Sequence, residues 1–387
     1  MQDRERRHAL LTEIGSENLA ALVCFAPEDV LLVSGYWPVM GSSVAVLTRE
    51  GTLHVILPED ELELAQATAQ ADFVPYKPVT LERMSSVTEA LKQPVESVAN
   101  RIPLGSARVG ILLGDAAQTQ SYQSANHFHS AVAPLLRRAY PNVDLIAADS
   151  LLKRMKSVKT SGEMRRLQDV CKLAQAGFEE AQRAIAPGRR EDEVAADINR
   201  AYACVAHHGF ERGHGYFFCM SGPNTTKAAS AFARTRQRIL ERGDLVMIHA
   251  NTVGDGFWTD ITRTYTAGEP DDLQESMRRA ISDARTAALS RVRAGAKASA
   301  VDAAARDILT QHGFGEEFKH AVGHGVGFAA ADPTALPRLH PKSPDILRPG
   351  MTFNIEPAIY IQGKGGMRHC DVVACTPNGA EVLTNFS

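Results

Sequence analysis

The chain has no CxxC pair: its six cysteines, Cys24, Cys171, Cys204, Cys219, Cys370 and Cys375, are scattered over 387 residues. That usage excludes a small disulfide framework and fits a reducing compartment. Nowhere do about eighteen apolar residues run together, so no membrane-spanning helix is expected. A dominant charge is missing too, since 42 Lys and Arg stand against 45 Asp and Glu, for a formal net charge of −3. With no Lys/Arg block and no basic–aromatic interleaving, no nucleic-acid or membrane partner is expected. The stretch MQDRERRHALL is charged and lacks the apolar core of a secretory signal, which predicts a cytoplasmic protein. No internal repeat and no low-complexity segment stands out. What the chain does have is length, enough for two domains that each bury a core.

The first 150 residues alternate helix and strand patterns. Residues 4–18 read as an amphipathic helix and Ala20–Phe25 as a buried strand, with Pro27-Glu28-Asp29 as punctuation before Val30–Gly35. Strands follow at Ser43–Leu47, Leu53–Leu57 and Val109–Leu113, and helices at Asp60–Gln70 and Ser124–Ala139. This predicts an α/β layer without a chemical motif; Trp37, His127 and His129 read as packing or surface residues. The basic, polar stretch Leu151–Ser161 marks a junction, giving domains 1–152 and 153–387. Beyond it, Ser161 is the expected N-cap of a long helix to about Ala186, followed by a helix over Glu191–His207. Strands are expected at Tyr216–Met220, Leu245–Ala250, Phe257–Tyr265, Phe353–Ile361 and Met367–Cys375, with helices at Asp271–Ala294 and Ala298–His312. Helices in blocks beside an antiparallel sheet predict an α+β domain.

Four stretches of this second half carry chemistry. In GDLVMIHANTVGDGFWTDITRTYTAG, a hairpin symmetric about Gly254-Asp255 sets His249 opposite Asp260. Neither residue serves packing inside an apolar strand, because each must find a partner or shift its pKa. The bland alternative is an inert His–Asp pair. HAVGHGVG brings His320 and His324 among glycines that allow close backbone approach, although their spacing alone is no known zinc signature. Glu356 lies in the strand NIEPAIY, and Cys370, in MRHCDVV, is roughly symmetric with it about Gly363–Gly366. For Cys370 a small buried hydrophobe is the ordinary role.

Together these stretches resemble the pita-bread superfamily of aminopeptidase P, prolidase, methionine aminopeptidase and creatinase. The segment APEDVLLVSGY and the strand–turn–strand after it are similar to that family's N-terminal domain. The resemblance implies an α+β pita-bread catalytic domain preceded by a smaller α/β N-terminal domain, and a homodimer. It also implies a site: in the peptidases Asp, Asp, His, Glu and Glu hold two divalent metals, and these positions fall on His249, Asp260, His324, Glu356 and Cys370. A histidine and a thiol thus replace two carboxylates, which speaks against a standard dinuclear centre. The family histidine expected after Ser221-Gly222-Pro223-Asn224 is missing, with Ala228-Ala229 in its place, and a second becomes Ala331. His320 is kept, as are Arg263 and Arg368, which in the family support site or substrate; His214 is a candidate replacement base. Three readings follow for a small-molecule substrate. One is a metal-independent, creatinase-like hydrolase of a C–N bond in an amino-acid-derived, guanidino or Xaa-Pro-like compound, using His249, His320, His324 and Glu356. Another is a hydrolase or lyase with one zinc, iron or manganese on Asp260, His324, Glu356 and Cys370. The third is an inactive binding protein on the same fold.

Overall fold

Asp3 accepts hydrogen bonds from the backbone N–H groups of Glu5 and Arg6 and so starts the first helix of a computed structural model that describes residues 3–39, 42–77, 81, 86–113, 129–230, 234–330 and 335–386. The chain divides into two compact units, Met1–Lys156 and Ser157–Ser387.

In the first unit the elements run α1 (Arg4–Ser16), β1 (Ala21–Cys24), α2 (Pro27–Ser34), β2 (Val44–Thr48), β3 (Leu53–Pro58), α3 (Leu62–Thr68), β4 (Asp72–Tyr76), α4 (Val87–Arg101), β5 (Arg108–Ile111), α5 (His129–Ala139), β6 (Asp144–Ala147) and α6 (Asp149–Ser157). Their sheet has the order β4-β3-β2-β1-β5-β6. Strand β2 runs antiparallel to its neighbours β1 and β3, and the other pairs are parallel. Every residue of β1, β2 and β3 is buried, as continuous apolar runs require. Two expectations change here. Pro27 opens a helix instead of a turn, because a proline at the first helical position loses no hydrogen bond; Gly35, at φ +81°, ends that helix. The polar stretch expected as a junction is largely helix α6. Of the helix expected over Ser124–Ala139, only α5 and its bounds can be stated, since residues 114–128, with His127, lie outside the described residues.

The second unit begins with α7 (Ser161–Ala184), whose N-cap is Thr160, one residue before the expected Ser161, in a reciprocal capping box with Glu163. Then come α8 (Glu191–Ala203), β7 (Gly213–Ser221), β8 (Leu245–Gly254), β9 (Phe257–Trp258), β10 (Ile261–Thr266), α9 (Asp272–Arg291), α10 (Ala298–Gln311), β11 (Thr352–Ile355), β12 (Ala358–Ile361), β13 (Gly365–Arg368), β14 (Asp371–Thr376) and β15 (Gly379–Val382). Strand β8 lies between β7 and β10, β14 lies between β11 and β15, and β12 pairs with β13. An antiparallel bridge between Thr262 and Cys370 ties these sheets together. Alternate residues of β8 serve two cores: Val246, Ile248 and Ala250 pack with α7 and α8, while Leu245 and Met247 join the cluster of α9 and α10. His249 continues the second row, which explains why an apolar strand presents it on the site's side of the sheet. Among the described residues no helix is long and apolar enough to cross a membrane.

The first hairpin turns at Asp255-Gly256, not at Gly254-Asp255. Both residues have left-handed φ, +45° and +86°, as a tight two-residue turn requires. The register therefore moves by one residue, pairing His249 with Thr262, and the same register sets Asp260 across from Asn251. His249 and Asp260 become diagonal neighbours on one face instead of direct partners. In the second hairpin the expected symmetry holds, and one register carries β11–β14 and β12–β13. Each expected long strand is broken, at Glu356-Pro357 and at His369-Cys370. Pro357 has no N–H for the ladder, so the site residues fall where pairing lapses.

The glycines of HAVGHGVG let the loop approach protein backbone. A Cβ on Gly323 would stand 2.0 Å from the Asn354 carbonyl oxygen. That contact lets His324 exchange hydrogen bonds with Asn354: its N–H donates to Oδ1 at 2.7 Å, and its carbonyl accepts from the Asn354 N–H at 2.9 Å. Gly323→Ala should therefore displace His324 and cost about 1–3 kcal/mol of overpacking. Urea unfolding measures this cost, and an unchanged midpoint would contradict the arrangement.

Candidate functional site

Arg368, at the end of β13, is buried. Its Nε donates to Thr262 Oγ1 at 3.1 Å, its Nη2 donates to His249 Nδ1 at 2.9 Å, and its Nη1 lies 3.7 Å from Glu356 Oε2. Small Ala358, paired with Arg368, leaves room for the guanidinium to reach Glu356 on the same face. A guanidinium has only donors, so Nδ1 of His249 must offer its lone pair and the ring proton sits on Nε2. Burial lowers the His249 pKa to about 4; Asp260 opposes the shift and Arg368 adds to it. The ring is thus a neutral imidazole.

Asp260 is the second centre. Its Oδ2 lies 3.6 Å from His324 Nε2, and Oδ1 lies 3.7 Å from His249 Nδ1. Burial works against the charge on His324, but the carboxylates of Asp260 and Glu356 outweigh it and raise the pKa to about 9. Asp260 is held below the usual carboxylate range, with His324 overcoming burial. Burial raises Glu356 to about 7, with Asp260 adding and Arg368 opposing. His320 sits nearby with Nδ1–H donating to the Ala321 carbonyl at 2.8 Å, while Nε2 lies 3.1 Å from the Tyr360 hydroxyl. Burial, reinforced by Arg368, takes His320 down to about 4 and so keeps it neutral; burial also lifts the Tyr360 phenol to about 12. Tyr360 therefore donates to Nε2.

The structure thus gathers His249, Asp260, His324, Glu356, Arg368 and, through Tyr360, His320. Two expected residues go elsewhere. Arg263 does not face substrate: it donates to Asp371 Oδ1 at 2.8 Å and to the carbonyls of Cys370, Thr384 and Phe386. Its parity on β10 points it to the opposite face from Thr262, so it anchors the chain's last residues. His214 is exposed and pairs with Val253, four residues along β7 from Phe218, which pairs with His249. That is roughly 13 Å at about 3.3 Å per residue, too far for it to stand in as the missing base. Tyr360, Asn354 and Thr262 were absent from the expected set. Strand alternation from Glu356 signals the first two, because Asn354, Glu356, Ala358 and Tyr360 share parity. Nothing local signals Thr262.

Two of the candidate donors, His249 and Cys370, bond to protein groups. With its proton on Nε2 and its other lone pair on Arg368, His249 has none to offer a metal. Cys370 is a buried thiol whose Sγ–H donates to the Asp260 carbonyl at 3.2 Å. Burial, with Asp260 and Glu356 adding, pushes its pKa well above the ordinary value. Among the described residues no three His, Cys, Asp or Glu side chains are grouped to hold a metal ion.

Comparison with known proteins agrees with the fold. The sequence model of metallopeptidase family M24 matches residues 165–377. Over 382 residues the chain is 28% identical to the Xaa-Pro dipeptidase of Pyrococcus furiosus, covering 98% of each. It is 33% identical over 241 residues to the probable dipeptidase PepE of Mycobacterium tuberculosis, 62% of each. The solved prolidase of Pyrococcus horikoshii OT3 superposes with a TM-score of 0.80 at 24% identity, over 99% of both chains. The architecture is an N-terminal domain followed by a pita-bread catalytic domain.

The Arg263–Asp371 pair gives a stability prediction. Asp371 also binds Arg285 and His369, and these partners overcome burial and hold its carboxyl below the usual range. Asp371→Ala should cost about 3–5 kcal/mol by leaving Arg263 buried and uncompensated. Because the folded-state pKa is depressed, the contribution is complete above the unfolded value of about 3.9 and is lost as pH falls below it. Unfolding midpoints of wild type and mutant should converge only in acid.

Proposed function

Because the chain belongs to metallopeptidase family M24, we propose that it hydrolyses the C–N bond of a small Xaa-Pro-like dipeptide, with its own side chains doing what a dinuclear metal centre does elsewhere in the family. The observation that carries this is the Arg368 guanidinium seated on Nδ1 of His249 and beside Glu356. It supplies a fixed positive charge while removing a metal-ligating lone pair. Relatives over nearly the full length are Xaa-Pro dipeptidases, which supports the substrate class. A guanidino substrate has less support, because the relatives are dipeptidases.

In this reading Glu356, with a pKa near neutrality, takes a proton from water as its oxygen bonds to the carbonyl carbon. The His324 imidazolium and Arg368 stabilise negative charge growing on the carbonyl oxygen. As the C–N bond breaks, the proton passes from Glu356 to the departing nitrogen, leaving an acid and an amine. Asp260 holds His324 charged and oriented.

Activity should rise with pH through about 7, because the protonated Glu356 cannot act as a base. Glu356→Gln should lower kcat by about 10²–10⁴-fold. Protein purified without added metal should hydrolyse an Xaa-Pro dipeptide in excess chelator. Elemental analysis finding stoichiometric metal that disappears in His324→Ala, together with chelator-sensitive turnover, would overturn the metal-independent chemistry.

A further inference from the structure

A buried N–H needs an acceptor, and the donors around Arg368 can be followed one by one. Arg368 gives Nε to Thr262 and Nη2 to His249, with Nη1 beside Glu356. His324 gives Nδ1–H to the Gly325 carbonyl at 3.0 Å and turns Nε2 toward Asp260 at 3.6 Å. His320 is bonded at both ring nitrogens, to the Ala321 carbonyl and to Tyr360. His249 is different. Its Nδ1 meets Arg368 Nη2 at 2.9 Å and Thr262 Oγ1 at 3.0 Å, which leaves the ring proton on Nε2. Among the described residues no group accepts from that N–H within hydrogen-bond distance. Asn251, two residues on along the same face of β8, favours a proton on the ring, yet its own Oδ1 forms no hydrogen bond. The His249 side chain is buried without being sealed, with 10% of its surface exposed.

The two cations of the site thus act on a ligand mainly through charge, because their N–H groups already face protein acceptors. His249 holds a directed donor with nothing to bond, and an oxygen that arrives with the ligand removes that deficit. We propose that His249 is a catalytic residue of the hydrolysis, a neutral imidazole whose Nε2–H donates to the carbonyl oxygen of the scissile C–N bond and more strongly to the oxyanion that forms there. A fixed donor in a site shielded from water favours charge that develops in the transition state. The ring itself neither gains nor loses a proton. Arg368 occupies Nδ1, so His249 cannot serve as the base, and the proton that reaches the departing nitrogen still comes from Glu356. The inference rests on the C–N hydrolase reading and adds a donor to it.

The test compares His249→Asn, which can still accept from Arg368 but places no N–H at the Nε2 position, with His249→Gln, whose amide N–H reaches that position. With Ala-Pro as substrate, His249→Asn should lower kcat roughly 10²–10³-fold with KM little changed, and His249→Gln should recover most of that loss. A phosphinate analogue of Ala-Pro carries its negative oxygen where the oxyanion forms. By calorimetry it should bind the intact chain and lose the same factor in His249→Asn, whereas Ala-Pro should bind Glu356→Gln nearly alike with and without His249→Asn. Nitrogen-15 NMR of histidine-labelled protein should show His249 as the Nε2–H tautomer. Equal losses in the Asn and Gln variants, a phosphinate affinity that His249→Asn leaves unchanged, or a proton on Nδ1 overturns the assignment. Phosphinate binding that depends on His249 in a protein that turns over no dipeptide upholds the donor and overturns the hydrolase reading. Should His249→Asn fail to fold, His249→Phe, a ring of similar shape without a donor, takes its place under the same criteria.

Discussion

A buried guanidinium that can only donate, shared among His249, Thr262 and Glu356, sets the chemistry of this site. Its charge is unavoidable, because arginine does not deprotonate in proteins, so every neighbour must adapt to it. His249 adapts by becoming a neutral acceptor at Nδ1. Glu356 adapts less, because burial still leaves its carboxyl near neutrality. A second opposite-charge pair, Asp260 with His324, completes a site in which neither carboxylate is left without a cation.

The opposite side of the same hairpins does structural work. Thr262 and Arg263 are adjacent on β10 and point to opposite faces, one holding Arg368 and the other holding Asp371 and the chain's last carbonyls. Backbone hydrogen bonds between Thr262 and Cys370 join the two. Cys370 thus joins the sheets through its backbone, and its thiol donates to the Asp260 carbonyl. A packing role for Cys370 fits these contacts better than a thiolate does.

His249, Asp260, Glu356 and Cys370 stand out in the sequence because ionisable groups rarely sit in apolar strands without cause. The symmetry of Glu356 and Cys370 about their turn also held. The first hairpin failed by one residue per strand, since several neighbouring bonds of a Gly- and Asp-rich turn could serve as its centre; the left-handed φ of Asp255 and Gly256 decided between them. Arg263 was misplaced because a motif records which residue is present and not which face it takes.

By itself the sequence determined the two-part architecture, most helices and strands of the second unit, and the set of ionisable side chains available to a cleft. Those follow from periodicity and composition, which are local. Only the tertiary structure decided which cation meets which anion, which nitrogen of His249 holds the proton, and that Tyr360 supports His320. These depend on distances of about 3 Å between residues on different elements, 119 positions apart for His249 and Arg368 and 40 for His320 and Tyr360. No local pattern encodes that proximity; it exists only once the two hairpins are bridged.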